Sequence, residues 1–289
     1  MQEVARNGPE DPTISRKIGY DSRVRIAVLM PAFNEEGRLA RTLFELSSQL
    51  SSQLSSQLRR GGVAQADVTV FLVDDGSRPA IDEDAVRGVA TGLRVVFARH
   101  AVNLGQGAAL ETARRLALQP CWQPVAGPFD AFVTMDSDGQ HQPSDVLALA
   151  GAILAGADVA LGDRFAGGSD VPTSRRVLLM MARLFERATT GLNLSDVHNG
   201  LRAFGPRAIE RMQIRQNRMA HATEISRSIS RASAERAKDD QLRVVEVPVS
   251  VRYTGESLAK GQRASGAVAI VVDLFHGFLF SPHEPREPR

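Results

Sequence analysis

The chain of 289 residues is long enough to bury a full core, as one large domain or two small ones. With 43% hydrophobic and 24% charged residues its composition is typical of a soluble globular protein, and a formal net charge of +2 gives no bulk field that favours nucleic acid. The single cysteine, Cys121, excludes an internal disulfide, which fits a reducing cytoplasm.

Strand-like and helix-like segments alternate along the first part of the chain. Residues 1–22 are polar and lack the apolar stretch of a signal peptide, so they are predicted to form a disordered leader. The alternation that follows predicts an α/β fold whose mostly parallel sheet binds ligands at the carboxyl ends of its strands. The predicted strands are residues 25–30, 68–73, 94–98, 129–135 and 158–161, and the helices are residues 38–58, 107–118 and 144–154.

The alternation weakens in the second part of the chain, where arginines are frequent. Helices are predicted at residues 177–190 and 220–232 and a strand at 243–252, with no linker between the two parts. One domain is therefore expected over residues 23–264, followed by an apolar or amphipathic helix at 265–282 and a tail at 283–289. The apolar stretch 267–280 is too short to span a bilayer. Clustered arginines indicate an anionic partner, either phosphates or lipid headgroups.

Two carboxylates stand one residue apart at the end of the fourth predicted strand, in Asp136-Ser137-Asp138-Gly139-Gln140-His141. Like charges this close repel each other unless a cation lies between them. Oxygen ligands suit Mg²⁺ or Mn²⁺, which leave positions open for substrate phosphates. The motif therefore predicts a metal–phosphate site, although the same residue types also form ordinary turns.

Three further motifs follow the first three strands. Residues 31–36 read Pro-Ala-Phe-Asn-Glu-Glu, the second strand ends in Asp74-Asp75-Gly76-Ser77, and residues 103–109 read Asn-Leu-Gly-Gln-Gly-Ala-Ala. The glycine pair opens a helix, whose N-terminus favours phosphate. It is not a dinucleotide fingerprint, because Leu110 replaces the third glycine.

In order and spacing the four motifs resemble the GT-A fold glycosyltransferases of family 2, and most of all the polyprenyl-phosphate (dolichyl-phosphate) mannosyl- and glucosyltransferases, over residues 25–260. The resemblance implies a Rossmann-like single domain and a nucleoside-diphosphate sugar donor. It implies Mg²⁺ or Mn²⁺ held by Asp136, Asp138 and Gln140. The nucleotide-binding residues it implies are Pro31, Ala32, Asn34, Glu35, Asp74, Asp75, Gly105 and Asp136.

The resemblance also implies residues on the acceptor side. Catalytic roles fall to Asp138, Asp196, Arg202 and Glu224, and phosphate-binding roles to Arg164, Arg175, Arg176, Arg252 and Ser257. The chain departs from the family pattern at three positions, where Gln106 and Leu258 replace frequent lysines and Leu201 replaces an aromatic residue. Three histidines lie near these motifs but lack the spacing of metal ligands, namely His141, His198 and His221.

These motifs together predict inverting, metal-dependent sugar transfer to a polyprenyl phosphate, in the cytoplasm or at the cytoplasmic face of the membrane. Transfer to a saccharide hydroxyl, in surface polysaccharide or glycolipid synthesis, is the alternative, and it would require a general base such as Glu224. A non-enzymatic alternative is a nucleotide-sugar-binding protein without catalysis. A homo-oligomer is compatible with the sequence, and no nucleic-acid partner is expected.

Two other aspartate-rich sites are excluded by the spacing. A phosphatase of the haloacid dehalogenase type has its motif on the first strand and a threonine where Gln140 stands. A calcium-binding EF-hand loop starting at Asp136 would need glycine and an acid where His141 and Leu147 stand.

Overall fold

A seven-stranded sheet forms the centre of the computed structural model, which describes residues 22–53, 63–125, 127–166, 195–196, 199–216, 220–233 and 241–252. Helices cover both faces of the sheet, as the alternation of elements predicts. The strands are β1 (Ser22–Ala32), β2 (Val63–Asp74), β3 (Arg94–Arg99), β4 (Ala131–Thr134), β5 (Val159–Asp163), β6 (Arg202–Phe204) and β7 (Val244–Pro248). The helices are α1 (Glu36–Gln53), α2 (Glu83–Val89), α3 (Gln106–Leu118), α4 (Pro143–Leu154), α5 (Pro206–Arg211) and α6 (Ala220–Ser233), with a 3₁₀ turn at Pro120–Trp122.

Strand side chains alternate between two apolar cores because successive residues of a strand point to opposite faces. In β1, Val28 and Met30 join the core under α1, α2 and α4, whereas Ala27 and Leu29 join the core under α3, α5 and α6. Both faces of β1 are therefore buried, which explains why its sequence is a continuous apolar run.

One strand runs against the others. The order across the sheet is β3-β2-β1-β4-β6-β5-β7, and β6 pairs antiparallel with both β4 and β5, while the remaining neighbours pair in parallel. Because β6 is reversed, the residues that precede it lie at the edge where the parallel strands end. Segments from both halves of the chain therefore meet at this carboxyl edge.

The predicted strands are confirmed with small shifts at their ends, and the last predicted strand is limited to Val244–Pro248. The sequence prediction missed β6, which is only three residues long, and the short helices α2 and α5. The leader before Ser22, the helix predicted at 177–190 and the elements predicted after residue 252 lie outside the described residues. In the part of the chain that is described, none of the helices has the length and apolar character needed to cross a membrane.

Candidate active site

The carboxylate loop, defined as residues 136–141, leaves the sheet at the end of β4. The backbone N–H of Gln140 donates to Oδ1 of Asp138 at 3.0 Å. Gly139 between them has a φ of +77°, which glycine adopts without strain. This tight turn holds Asp136 and Asp138 together at the carboxyl edge of the sheet.

Neighbouring elements hold the carboxylate loop from two sides. The hydroxyl of Thr42 in α1 lies 3.2 Å from the carbonyl oxygen of Ser137. On the other side, the segment after β7 pairs with the loop, and the N–H of Arg252 donates to the carbonyl oxygen of Gln140 at 2.9 Å. The backbone of the loop is therefore fixed by elements that are distant in sequence.

The side chain of Asp136 is enclosed by groups from three segments. The amide of Gln106, the first residue of α3, donates to Oδ1 at 2.9 Å, and Nε2 of His141 lies 3.3 Å from Oδ2. Gly200, which precedes β6, approaches so closely that a Cβ at this position would overlap the carboxylate. The Asp136 side chain is nevertheless 32% exposed, so a ligand has access to it.

The two carboxylates of the loop have pKa values displaced in opposite directions. Burial alone would raise the pKa of Asp136, but the hydrogen bond from His141 and the positive charges of His141, His221 and Arg202 bring it below the usual value. Burial and the negative charge of Asp136 raise the pKa of Asp138. A cation between the two carboxylates would relieve this repulsion.

The donor set suits a hard divalent cation. Asp136 and Asp138 offer carboxylate oxygens, and Gln140 in the same loop offers an amide oxygen. Within the described ranges, no three His, Cys, Asp or Glu side chains lie close enough together to hold a metal ion. Two carboxylates and one amide leave the other coordination positions of a Mg²⁺ or Mn²⁺ ion to water and substrate phosphates, so the residues fit such an ion.

The acidic pair after β2 is buried and bonded to surrounding backbone. Asp74 accepts from the N–H of Ser77 at 2.8 Å and lies 3.3 Å from Nε of Arg99. Asp75 accepts from the N–H groups of Leu104 and Gly105 at 2.9 and 2.8 Å. Asp75 thus anchors the loop that leads into α3, in addition to its predicted contact with the nucleotide.

His100 extends this network. Its Nδ1 lies 2.7 Å from Oδ1 of Asp75, and its Nε2 lies 2.9 Å from the hydroxyl of Thr112 in α3. The network connects the end of β2 with α3, the helix that carries Gln106. The position of Gln106 is therefore fixed by partly buried hydrogen bonds behind it.

The loop after β1 is joined to the loop after β2. The N–H of Asn34, which has a φ of +53°, donates to the hydroxyl of Ser77 at 2.9 Å, and Oδ1 of Asn34 accepts from the N–H of Arg78 at 2.9 Å. Pro31 and Ala32 end β1 beside this junction. The negative charge of Glu35 adds to the raised pKa of Asp138, after burial and the negative charge of Asp136.

Two predicted acceptor-side residues, Arg164 and Asp196, form a buried ion pair in which Nε and the backbone N–H of Arg164 both face Oδ2 of Asp196. Their side chains are 6% and 1% exposed. Oδ1 of Asp196 is buried without a hydrogen-bond partner, and the amide of Asn199 donates to Oδ2 at 3.3 Å. The pair holds the segment before β6 against the end of β5.

Two other predicted acceptor-side residues, Arg202 and Glu224, have different contacts. Arg202 is buried in β6, and its charge reaches Asp136. Oε2 of Glu224 in α6 accepts from the N–H groups of Arg215 and Gln216, both at 2.8 Å. Their predicted catalytic roles stay predictions.

Arg252 lies between the carboxylate loop and α1. Its Nη1 forms an ion pair with Glu45 of α1 at 2.7 Å, and its Nη2 lies 3.5 Å from Oε1 of Gln142. Phosphate binding by Arg252 would therefore compete with Glu45. The other predicted phosphate ligands, Arg175, Arg176 and Ser257, lie outside the described residues.

Gln106 and His141 lie at the centre of the site, although the sequence did not predict that either contacts Asp136. The only signals in the sequence are the position of Gln106 between two glycines and the position of His141 three residues after Asp138. Neither signal indicates that both side chains point to the same carboxylate.

An α/β sheet with polar loops at its carboxyl edge and a helix N-terminus beside them is the arrangement of proteins that bind phosphate-containing ligands at strand ends. Comparison with known proteins gives the particular family. Residues 27–213 match the model of glycosyl transferase family 2, and the chain belongs to this family.

Relatives across most of the chain are named as prenyl-phosphate sugar transferases. The undecaprenyl-phosphate mannosyltransferase of Micrococcus luteus is 29% identical over 256 residues, which cover 86% of this chain and 93% of the relative. The UDP-N-acetylglucosamine–dolichyl-phosphate N-acetylglucosaminyltransferase of Methanococcus voltae is 24% identical over 254 residues, which cover 82% of this chain and 89% of the relative.

Solved structures confirm the GT-A-like fold. Glucosyl-3-phosphoglycerate synthase of Mycobacterium tuberculosis, in a complex with Mn²⁺, UDP and glucosyl-3-phosphoglycerate, superimposes with a TM-score of 0.52 at 20% identity. The similarity covers 88% of this chain and 80% of that structure. The protein is thus a glycosyltransferase with the fold that the four motifs predict.

Proposed function

We propose that this glycosyltransferase transfers a sugar, with inversion at the anomeric carbon, from a nucleoside-diphosphate sugar to a polyprenyl phosphate, and that it depends on Mg²⁺ or Mn²⁺. The observation that carries the proposal is the pair of carboxylates, Asp136 and Asp138, turned together at the end of β4. Burial and, next to it, the negative charge of Asp136 raise the pKa of Asp138, and a divalent cation between the two carboxylates would relieve their repulsion.

The metal site consists of Asp136, Asp138 and Gln140. A divalent ion bound there supplies Lewis-acid stabilisation of the leaving nucleoside diphosphate. The protein positions the donor around this point with the loops after β1, β2 and β3. The nucleotide contacts are assigned to Pro31, Ala32, Asn34, Glu35, Asp74, Asp75, Gly105 and Asp136.

The contacts of Glu224 favour a phosphate rather than a hydroxyl as the acceptor of the sugar. Sugar transfer to a hydroxyl needs a general base, whereas a phosphate is already ionised near neutral pH and can attack directly. Oε2 of Glu224 already accepts two backbone N–H groups, so this oxygen binds the segment before α6 rather than an acceptor hydroxyl. The named relatives that act on undecaprenyl and dolichyl phosphate support the same acceptor class.

Arginines supply the charge that an anionic acceptor needs. Arg164, Arg175, Arg176, Arg252 and Ser257 are assigned to phosphate groups, and Asp196 and Arg202 to the acceptor side of the reaction centre. The ion pair of Arg252 with Glu45 would exchange for a contact with phosphate, a more highly charged partner.

The proposed reaction is tested by sugar transfer to undecaprenyl phosphate. The full chain is incubated with Mn²⁺, undecaprenyl phosphate in detergent, and radiolabelled UDP-, GDP- or dTDP-sugars, and lipid-extractable label is counted. We expect one donor to be used, and Asp138→Asn to lose at least about 100-fold in rate because a metal ligand is removed. Asp84→Asn, at an exposed position in α2, is the matched control.

Two results would contradict this proposal. Full activity of Asp138→Asn would exclude the metal site at the carboxylate loop. Transfer to a saccharide but not to undecaprenyl phosphate would exclude the acceptor class while leaving the family assignment intact.

Membrane contact is a separate part of the proposal. Residues 265–282 are assigned to an amphipathic helix at the cytoplasmic face of the membrane. We expect the protein to sediment with vesicles containing anionic lipid and to lose most of this association when residues 265–289 are removed. Unchanged sedimentation of the truncated protein would contradict membrane contact by residues 265–282.

A further inference from the structure

The carboxylate of Asp136 has a hydrogen-bond donor on each oxygen, and the two donors come from separate segments. Gln106 in α3 donates to Oδ1, and His141 in the carboxylate loop lies against Oδ2. Gly200 closes a third side. A carboxylate held in this way has one orientation, which is the condition for a precisely shaped metal site.

We infer that Gln106 is a positioning residue for the metal-binding carboxylate of Asp136, and that His141 supports the same carboxylate from the opposite oxygen. The inference rests on the proposed metal-dependent function. Gln106 is exposed, so its contact with Asp136 is not a by-product of filling the core. Its backbone is fixed at the start of α3, directly after Gly105, which is tied to Asp75 at 2.8 Å.

A neutral amide orients Asp136 without neutralising it. An ionised carboxylate offers about four lone-pair positions on its two oxygens. Gln106 and His141 occupy one position on each oxygen, so each oxygen keeps a position for a cation. Because the amide carries no charge, Gln106 itself adds no positive charge that would compete with the metal ion for Asp136.

The tautomer of His141 follows from its surroundings. Nδ1 is buried without a hydrogen-bond partner, whereas Nε2 faces Oδ2 of Asp136. A neutral ring with its proton on Nδ1 would leave a buried donor unsatisfied and would turn a lone pair toward the carboxylate. A proton of His141 is therefore assigned to Nε2, where it donates to Asp136.

The packing behind Gln106 explains how it keeps its place. Gly107, the second residue of α3, lies against the backbone of Gln216 so closely that a Cβ would overlap its carbonyl oxygen. The N–H of Gln216 is in turn held by Glu224. The start of α3 is thus fixed on one side by Asp75 and on the other by the segment before α6.

The first test compares Mn²⁺ binding by wild type, Gln106→Ala and Gln106→Lys. Free Mn²⁺ is measured by electron paramagnetic resonance, with and without UDP and GDP. Loss of the orienting amide in Gln106→Ala should weaken Mn²⁺ binding about 10-fold, the usual effect of removing a partner of a metal ligand. Gln106→Lys keeps a donor but adds a positive charge beside Asp136, so it should weaken binding further.

The control is Gln119→Ala, which removes an exposed glutamine just beyond the other end of α3. This variant should bind Mn²⁺ as the wild type does. Circular dichroism verifies that all variants are folded.

The second test uses His141, which is buried, so its variants are judged by rescue. His141→Ala removes the donor to Oδ2, whereas the amide of His141→Gln can replace it. We expect Mn²⁺ binding to fall in the first variant and to recover in the second. Equal loss in both folded variants would show that His141 fills space only and would overturn its part of the inference.

The outcomes separate this inference from the proposed function. If wild type binds Mn²⁺ and Gln106→Ala binds it within twofold, positioning by Gln106 is wrong and the proposed function stands. If Gln106→Lys binds as tightly as wild type, the argument from a neutral donor is wrong. If wild type binds no Mn²⁺ with either nucleotide, the metal-dependent function and the inference fail together.

Discussion

Gly200 shows how a residue without a side chain shapes the candidate active site. Any Cβ at this position would lie about 2.8 Å from Cγ of Asp136, well inside van der Waals contact. The carboxylate keeps its position only because residue 200 has no Cβ. The absence of a side chain at residue 200 thus shapes the proposed metal site.

At the residue scale, we therefore predict that Gly200→Ala displaces the carboxylate of Asp136. A displacement of about 1 Å at a reaction centre costs on the order of 100-fold in rate. Transfer activity should fall by about this factor, while the thermal unfolding midpoint changes by only a few degrees. Both quantities are measured on the purified protein, with Mn²⁺ at saturation.

Gly151→Ala is the control for this substitution. Gly151 lies in α4, and nothing is found within 4 Å of a Cβ built there. Replacing a helical glycine with alanine should stabilise the protein slightly and leave activity unchanged. Normal activity of Gly200→Ala would contradict the steric argument.

At the scale of elements, Glu111 ties α3 to the segment between α5 and α6. Its carboxylate binds Arg114 at 2.8 Å and Arg115 at 2.7 Å, and it accepts from the N–H of Ile214 at 3.2 Å. Burial alone would raise the pKa of Glu111, but the hydrogen bonds from the two arginines and from Ile214 bring it below its usual value.

We predict that Glu111→Gln lowers the free energy of unfolding by about 2 kcal/mol at pH 7, the usual contribution of hydrogen bonds to a charged group. Because the folded-state pKa of Glu111 is lowered, its contribution is complete above the unfolded-state pKa of about 4.3 and is lost as the pH falls through the folded-state value. Urea unfolding at pH 7 and pH 4 should therefore show a smaller difference between wild type and variant at the lower pH. An equal difference at both pH values would exclude this ion pair as the cause.

The sequence predicts those elements that are long and strongly patterned. The apolar runs of β1 and β2 identify buried strands, and α3 and α4 follow from their periodicity. In contrast, β6 has three residues, too few for a pattern, and its reversed direction depends on pairing with β4 and β5. Its placement is decided by tertiary contacts that a local sequence pattern does not contain.

Prediction of the candidate active site from the sequence is likewise limited to local patterns. Asp136 and Asp138 are predictable because their spacing at a strand end has a direct chemical meaning. The contact between Gln106 and Asp136 joins residues 30 positions apart, and the ion pair between Glu45 and Arg252 joins residues 207 positions apart. Such contacts depend on the order of strands in the sheet, so the partners of the predicted residues become visible only in the structure.

At the scale of the whole molecule, binding of the donor should stabilise the fold, because a ligand that binds only the folded state shifts the unfolding equilibrium. A donor at 100 times its dissociation constant adds about 2.7 kcal/mol. For a protein of this size the midpoint should rise by roughly 5 °C. Thermal scans with Mn²⁺ and UDP-, GDP- or dTDP-sugars measure the rise.

The control for the thermal scans is Asp138→Asn, which should show a much smaller rise with the same sugar nucleotide. A rise that is identical with and without Mn²⁺ would contradict binding of the diphosphate through the metal ion. The identity of the stabilising donor also defines the base and sugar for the transfer assay.

The boundary between β4 and β6 divides the sheet into two parts, and each part is formed by a different half of the chain. Strands β3, β2, β1 and β4 come from residues 22–134, and β6, β5 and β7 come from residues 159–248. The contact of Asp136 with Gly200 spans this boundary. The two parts of the sheet are therefore coupled sterically at this contact, because any side chain at residue 200 would displace the carboxylate of Asp136.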